Sequence, residues 1–177
     1  MLEDLSGAAV RGYRAPSFSI TEWAIPVLRE EGFDYDSSVF ATAVNSRYGQ
    51  LPGIDARETV VELAPGFYEV GVSCLALGSR GLPWGGGGYF RLLPYPVFRR
   101  GIDHVRRTRP YVFYLHPWEI DPGQPRPAGV PLAYRFRHYV GLRRCEQRFE
   151  ALLRDFPWSP ISRLVELARE SEEVRAA

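Results

Sequence analysis

The chain has 177 residues, about one domain, and 45% hydrophobic content with 14% aromatics supplies enough apolar mass for a substantial core. Lys+Arg total 22 against 21 for Asp+Glu, so no net field draws the chain to nucleic acid or to an anionic membrane. Every basic residue is arginine, which removes the Walker lysine, the Schiff-base lysine and the lysine general base from the chemistries on offer.

The first residues, MLEDLSGAAVRGYRAP, hold no basic region followed by an apolar core, and nowhere do about 18 apolar residues run together. The chain is expected to be soluble and cytoplasmic. Val10 to Arg14 predicts a short strand closed by Ala15-Pro16, because a residue before proline is pushed toward extended geometry. Ser19-Ile-Thr-Glu22 has the form of a capping box and predicts a helix to about Glu31, with a bend or a late start at Pro26 and a stop at Gly32. Phe33 to Phe40 reads as a second strand, residues 41 to 58 as irregular, and Val60 to Leu63 and Phe67 to Ser73 as strands around a Pro65-Gly66 turn.

A Gly-rich loop, GSRGLPWGGGG, spans residues 78 to 88. A helical pattern follows over Tyr95 to Arg107, and then YVFYL, the apolar run of a buried strand, ends in His116-Pro-Trp-Glu119. After a proline-laden loop from 121 to about 131, Leu142, Cys145, Phe149, Leu152, Leu153 and Phe156 recur at helical spacing, and that helix is expected to cover the sheet. Ser159-Pro160 opens a last helix that frays into ESEEVRAA. Strands alternating with helices predict an α/β fold with a largely parallel sheet, in one domain.

Ligands in such folds sit past the carboxyl ends of the strands, which is where His116 and Arg14 stand. An imidazole suits proton transfer, and Trp118 beside it offers a flat face on which sugar rings stack. Glu119 either orients that imidazole or is an ordinary surface carboxylate, the second reading being favoured. Arg14 presents a planar fork for a carboxylate, in a site or in a structural ion pair. Asp34 and Asp36 have the spacing of a metal pair but lack further ligands, so Asp36 reads as a groove or turn residue.

GGGGYF lacks the spacing of a dinucleotide fingerprint and reads as a flexible loop, although its glycines permit close approach to a ligand or strand, beside Trp84, Tyr89 and Phe90. His104 is expected on a solvated helix face and His138, in RFRHY, in a basic aromatic loop. The three histidines and the isolated Cys74 and Cys145 show no metal-site spacing, and the cysteines fit a reducing compartment. No G-x-S-x-G elbow occurs.

Together, GYRAPSFSIT, FDYDSSVF, LPWGGGGYFRLLPY, YVFYLHPWEIDP and RFRHYVGL, in this order over about residues 10 to 165, resemble the polysaccharide deacetylase (NodB-homology, carbohydrate esterase) superfamily. They are most similar to the subgroup encoded with exopolysaccharide biosynthesis genes. The resemblance implies the C-terminal part of a deformed (β/α) barrel over residues 8–120 and an extension with two helices over 121–177. It implies removal of N-acetyl groups from amino sugars: a divalent metal, usually zinc, polarises the acetamide, an aspartate activates water, and a histidine protonates the departing amine. On this basis His116 is the general acid, Arg14 holds the catalytic aspartate, and Pro16 shapes the wall. Asp36, Tyr89 and Trp118 are expected to contact an N-acetylated polysaccharide or oligosaccharide.

The family's T-F-D-D and H-x-x-x-H motifs, which bring the base and the metal ligands, lie upstream of R-x-P, where about ten residues stand here. The chain alone is therefore expected to bind no metal and to be inactive, with open sheet edges that pair with a second copy or a complementing N-terminal half. The alternatives are a non-catalytic carbohydrate- or partner-binding module and a relative acting on small amides, which the GGGGYF and RFRHY segments disfavour.

Overall fold

A computed structural model describes residues 1–40, 51, 54–55, 58–77 and 80–176. The irregular stretch expected over 41–58 falls largely outside these residues, as do Gly78 and Ser79 of the Gly-rich loop. The fold is α/β. A four-stranded sheet has the order β1 (Gly12–Tyr13), β2 (Tyr35–Asp36), β4 (Phe67–Val70), β3 (Val60–Ala64), parallel except for the β3–β4 hairpin. The hairpin turns at Pro65-Gly66, where Gly66 takes φ +76°, a value that suits glycine.

β1 and β2 are shorter than the sequence predicts. Pro16 ends β1, since it has no N–H for a ladder. Past Asp36 the serines compete with the ladder: Ser38 Oγ accepts the Ala15 N–H at 2.7 Å, and Ser37 Oγ donates to the Val70 carbonyl at 2.7 Å. β4 is buried along its whole length, as a strand covered on both faces should be.

Side chains alternate across β4, so Tyr68 and Val70 face one way and Phe67 and Glu69 the other. The first face is covered by α7 (Ile161–Ala176), which packs Ile161, Leu164, Val165 and Ala168 on Tyr68, Val70 and Val112. The second holds Ala15, Ile20, Leu28, Val39 and Phe67, with α2 (Ala24–Glu30) against it. The Ser19-Glu22 capping box does not form: Ser19 Oγ donates to the Pro16 carbonyl at 2.7 Å, and α2 starts late, leaving Pro26 in a first turn that needs no internal N–H bond.

The remaining elements build a second core. β5 (Cys74–Leu77) and β6 (Arg80–Pro83) form an antiparallel hairpin whose second strand lies within the predicted loop, and GGGGYF then runs into α3 (Gly87–Leu92). α4 (Tyr95–Val105) and α6 (Leu142–Asp155) pack Phe98, Ile102, Cys145 and Leu152 on Trp84 and Phe90. α6 thus covers α3, α4 and residues 111–115, and the sheet is left to α7. Residues 111–115 are extended as expected but form no ladder. They are tied by Val112 N–H to Ser73 Oγ at 2.8 Å, Tyr114 N–H to the Gly85 carbonyl at 2.8 Å and a single parallel bridge, Gly86 to Tyr114.

RFRHY is not loop. It lies in α5 (Leu132–Tyr139), a segment without internal proline or glycine that follows Pro131 and ends before Gly141 at φ +72°. A short helix, α1 (Leu2–Ser6), precedes β1. Among the described residues, no helix is long and apolar enough to cross a membrane.

Candidate functional site

Two clusters meet at Tyr114. The first lies at the carboxyl ends of the parallel strands. Arg14 donates from Nε to the Ser37 carbonyl and from Nη2 to Ser37 Oγ, both at 2.6 Å. Its guanidinium lies 5.5 Å from the centroid of Phe18 and 5.6 Å from that of Tyr114, a cation held between two rings. Burial pulls its pKa below the usual range, while Tyr114, Asp36 and Glu69 act in the opposite sense. The Phe18 ring is delivered by a 3-10 turn, Pro16–Phe18, in which Ser17 and Phe18 have φ of 55° and 56°, left-handed values unusual for residues with side chains.

Beneath Arg14 lie two carboxyl groups. Asp36 and Glu69 are register partners on neighbouring parallel strands, so their side chains leave the sheet side by side. Asp36 has 0% exposure and accepts from the N–H and Oγ of Ser38 at 2.9 and 2.8 Å. It is inside the sheet, not on a groove wall as its motif suggested. Glu69, 1% exposed, accepts the Val39 N–H on Oε1 at 2.8 Å, and its Oε2 has no partner among the described residues. Burial first, and then the adjacent Asp36, raises the Glu69 pKa to about 9. Glu69 therefore keeps its proton at neutral pH, because two adjacent buried carboxyls resist double ionisation.

The second cluster is built on the turn after residues 111–115. His116 precedes the 3-10 helix Pro117–Ile120 and is exposed. Glu119 is neither of the two things expected of it. It is buried, its Oε2 accepts the His116 backbone N–H at 3.0 Å, and its Oε1 accepts Arg91 Nε at 3.0 Å. The carboxylate holds the backbone that carries the imidazole. Arg91 in turn donates from Nη1 to the carbonyls of His138 and Val140, each at 2.8 Å, tying α5 to α3.

The glycine run is explained by these approaches. A Cβ at Gly85 would meet the Val112 carbonyl, one at Gly86 the Tyr114 ring, and one at Gly87 the Glu119 carboxylate, whereas Gly88 faces open space.

Aromatic rings extend the cluster. His116 meets Tyr114 edge-on at 5.7 Å and lies nearly parallel to Trp118 at 5.9 Å. His138, expected to be uninvolved, stacks on Trp118 at 4.4 Å, so part of that indole is already covered. Gln124 fixes the His138 tautomer: its Nε2 donates to the carbonyls of Trp118 and Asp121, each at 2.8 Å, so Oε1 must accept from His138 Nε2–H at 2.7 Å.

A cavity of about 660 Å³ collects His116, Trp118 and Tyr89 with Tyr114, Arg91 and His138. Arg14 does not line this cavity; it packs on Tyr114, which does. Pro16 is exposed in the turn after β1 and does not line it, and Asp36 is sealed from it. Sequence reasoning missed Glu69, Arg91, Gln124 and the part played by His138. For Glu69 a signal existed, an acid in the middle of the apolar strand FYEV; Gln124 and Arg91 carried none.

A zinc-type ion does not fit the residues in view. Among the described residues, no three His, Cys, Asp or Glu side chains could together hold a metal ion. The two adjacent carboxyls are sealed from solvent, with Asp36 spent on Ser38 and Glu69 Oε1 on Val39.

Compared with known proteins, residues 37–166 match a family model described as "Domain of unknown function (DUF3473)". No curated protein and no solved structure gives a significant match.

Proposed function

Since the chain belongs to the DUF3473 family, we propose that it is the proton-donating part of a polysaccharide deacetylase of the NodB-homology type, a hydrolase that removes N-acetyl groups from amino sugars during exopolysaccharide biosynthesis in the cytoplasm. The observation that carries this is His116. The residue is exposed at an aromatic-lined cavity, its backbone is clamped by the buried Glu119–Arg91 pair, and its ring meets Tyr114, on which Arg14 also packs. Three parallel strands with Arg14 at a carboxyl end support the C-terminal part of a deformed (β/α) barrel.

In this reading the imidazolium of His116 gives its proton to the departing nitrogen as the C–N bond breaks and water oxygen remains on the acyl carbon. Tyr89 and the uncovered part of Trp118 stack the sugar. Arg14, fixed by Ser37, Phe18 and Tyr114, presents charge to an acidic partner. The described residues do not fit a metal, and the sequence contains neither T-F-D-D nor H-x-x-x-H. The reading assigns base and metal ligands to a segment bearing those motifs, and expects no turnover from these 177 residues alone. That same lack of a donor set favours, as a second reading, a non-catalytic carbohydrate-binding module on the same fold.

Joined to a segment that carries both motifs, the chain should release acetate from N-acetylglucosamine oligomers, and His116→Ala should lower kcat by about 10²- to 10⁴-fold. Unchanged kcat in that variant would remove His116 from the chemistry. Sugar binding with no acetate release from any such joined chain would favour the binding module.

A further inference from the structure

Around the 660 Å³ cavity, arginines and carboxylates are unequal in number. The described residues lining it include Arg91, Arg135 and Arg137 but a single carboxylate, Glu119. That carboxylate is spent, one oxygen on Arg91 and the other on the His116 N–H. Arg91 is spent as well, on Glu119 and on the carbonyls of α5. Arg135 and Arg137 are exposed and have no carboxylate partner among the described residues. The wall that carries them, α5, buries none of its eight residues, and Tyr134 and Phe136 on it are 62% and 63% exposed.

A neutral sugar would use the rings and leave both guanidinium groups without a counter-ion. A carboxylate offers each of them the planar, two-oxygen partner that a guanidinium fork matches. The volume lies within the range of pockets that enclose small organic ligands. On the amino-sugar reading above, we infer that the cavity takes an acidic saccharide: uronate-type carboxylates held one by Arg135 and one by Arg137, which leave α5 on different faces, with the neighbouring N-acetyl amino sugar over Tyr89 and Trp118 near His116. The substrate polymer then alternates, or at least includes, uronic acid and N-acetylated units. α5 is the element that selects for it.

Calorimetric titration of the 177-residue chain, which needs no turnover, tests this with three tetrasaccharides: one alternating glucuronate and N-acetylglucosamine, its carboxyl-reduced counterpart, and the N-acetylglucosamine tetramer. The acidic sugar should bind at least about tenfold more tightly than its reduced form. That margin should shrink with added salt and in the Arg135→Gln/Arg137→Gln double variant, whose changes lie on an exposed helix and whose melting temperature reports that the fold is kept. Equal affinity for the acidic and reduced sugars, or a margin that survives the double variant, overturns the acidic-saccharide assignment and leaves the amino-sugar reading standing. Failure of all three sugars to bind overturns both.

Discussion

Arg91 and Glu119 have side-chain exposures of 2% and 3%, and each holds a different piece of backbone: Glu119 the turn of His116, Arg91 the end of α5. Removing one partner of such a pair leaves the other charged and dry. Arg91→Ala is expected to cost about 3–5 kcal/mol in chemical unfolding. The pair can also be disturbed from the glycine side. Gly87→Ala drives a methyl into the Glu119 carboxylate and should cost about 1–3 kcal/mol, while Gly88→Ala, facing open space, should be close to neutral. Equal effects at the two positions would mean that the glycines serve the turn and not the carboxylate. From the sequence, Glu119 looked like a surface acid because only the strand before it was legible; its arginine lies 28 residues upstream, and no local pattern connects the two.

Between elements, β2 and β4 bury Glu69 and put Asp36 beside it, and this placement sets a pH dependence. In the folded chain Glu69 keeps its proton up to about pH 9, whereas unfolded it releases it near the ordinary 4.5. Over that window the folded state binds more protons, so each rise in pH favours unfolding. The stability tied to this group is full below about pH 4.5 and falls progressively toward pH 9. Thermal melts over that range should show the decline, and Glu69→Gln, which keeps the shape and cannot ionise, should flatten it. A wild-type curve already flat from pH 5 to 9 would show that Glu69 is not held protonated by its burial beside Asp36.

Element types were legible wherever periodicity was long, as in α4, α6 and α7, or where punctuation was sharp, as at Pro65-Gly66. They were not legible where tertiary contact decides. β1 and β2 pair over two residues each because Pro16 and the side chains of Ser37 and Ser38 take over the backbone beyond. LAYRFRHY forms a helix that buries none of its residues, and its apolar positions, Leu132, Phe136 and Tyr139, span only two turns, too short a run to stand out. The candidate site divides in the same way. His116, Trp118 and Tyr89 stand at addresses a sequence reveals, whereas Glu69 and Gln124 act through partners that only the fold brings near.

For the whole molecule, the sheet has one face toward α7 and the other toward Arg14 and the carboxyl pair, with β4 shared between them. α7 is anchored by Val165 in the core and by Tyr68 OH donating to Glu172 at 2.6 Å. A chain ending at Pro157 would expose Tyr68, Val70 and Val112, and it should lose cooperative unfolding in calorimetry and bind a hydrophobic dye. Retention of a sharp transition would mean that α7 is an appendage. The turn after Pro16 gives this architecture a further role. Two consecutive left-handed residues cost about 1–3 kcal/mol each, and nothing in Ser17 or Phe18 itself favours that shape. The bend is therefore imposed by its surroundings, through Phe18 wedged against Phe40 and Tyr114. It acts as a cocked latch: a loosening of those rings would let the turn relax and strip the guanidinium of residue 14 of its aromatic flanks, so disorder in the aromatic core would reach that arginine before the sheet itself had opened.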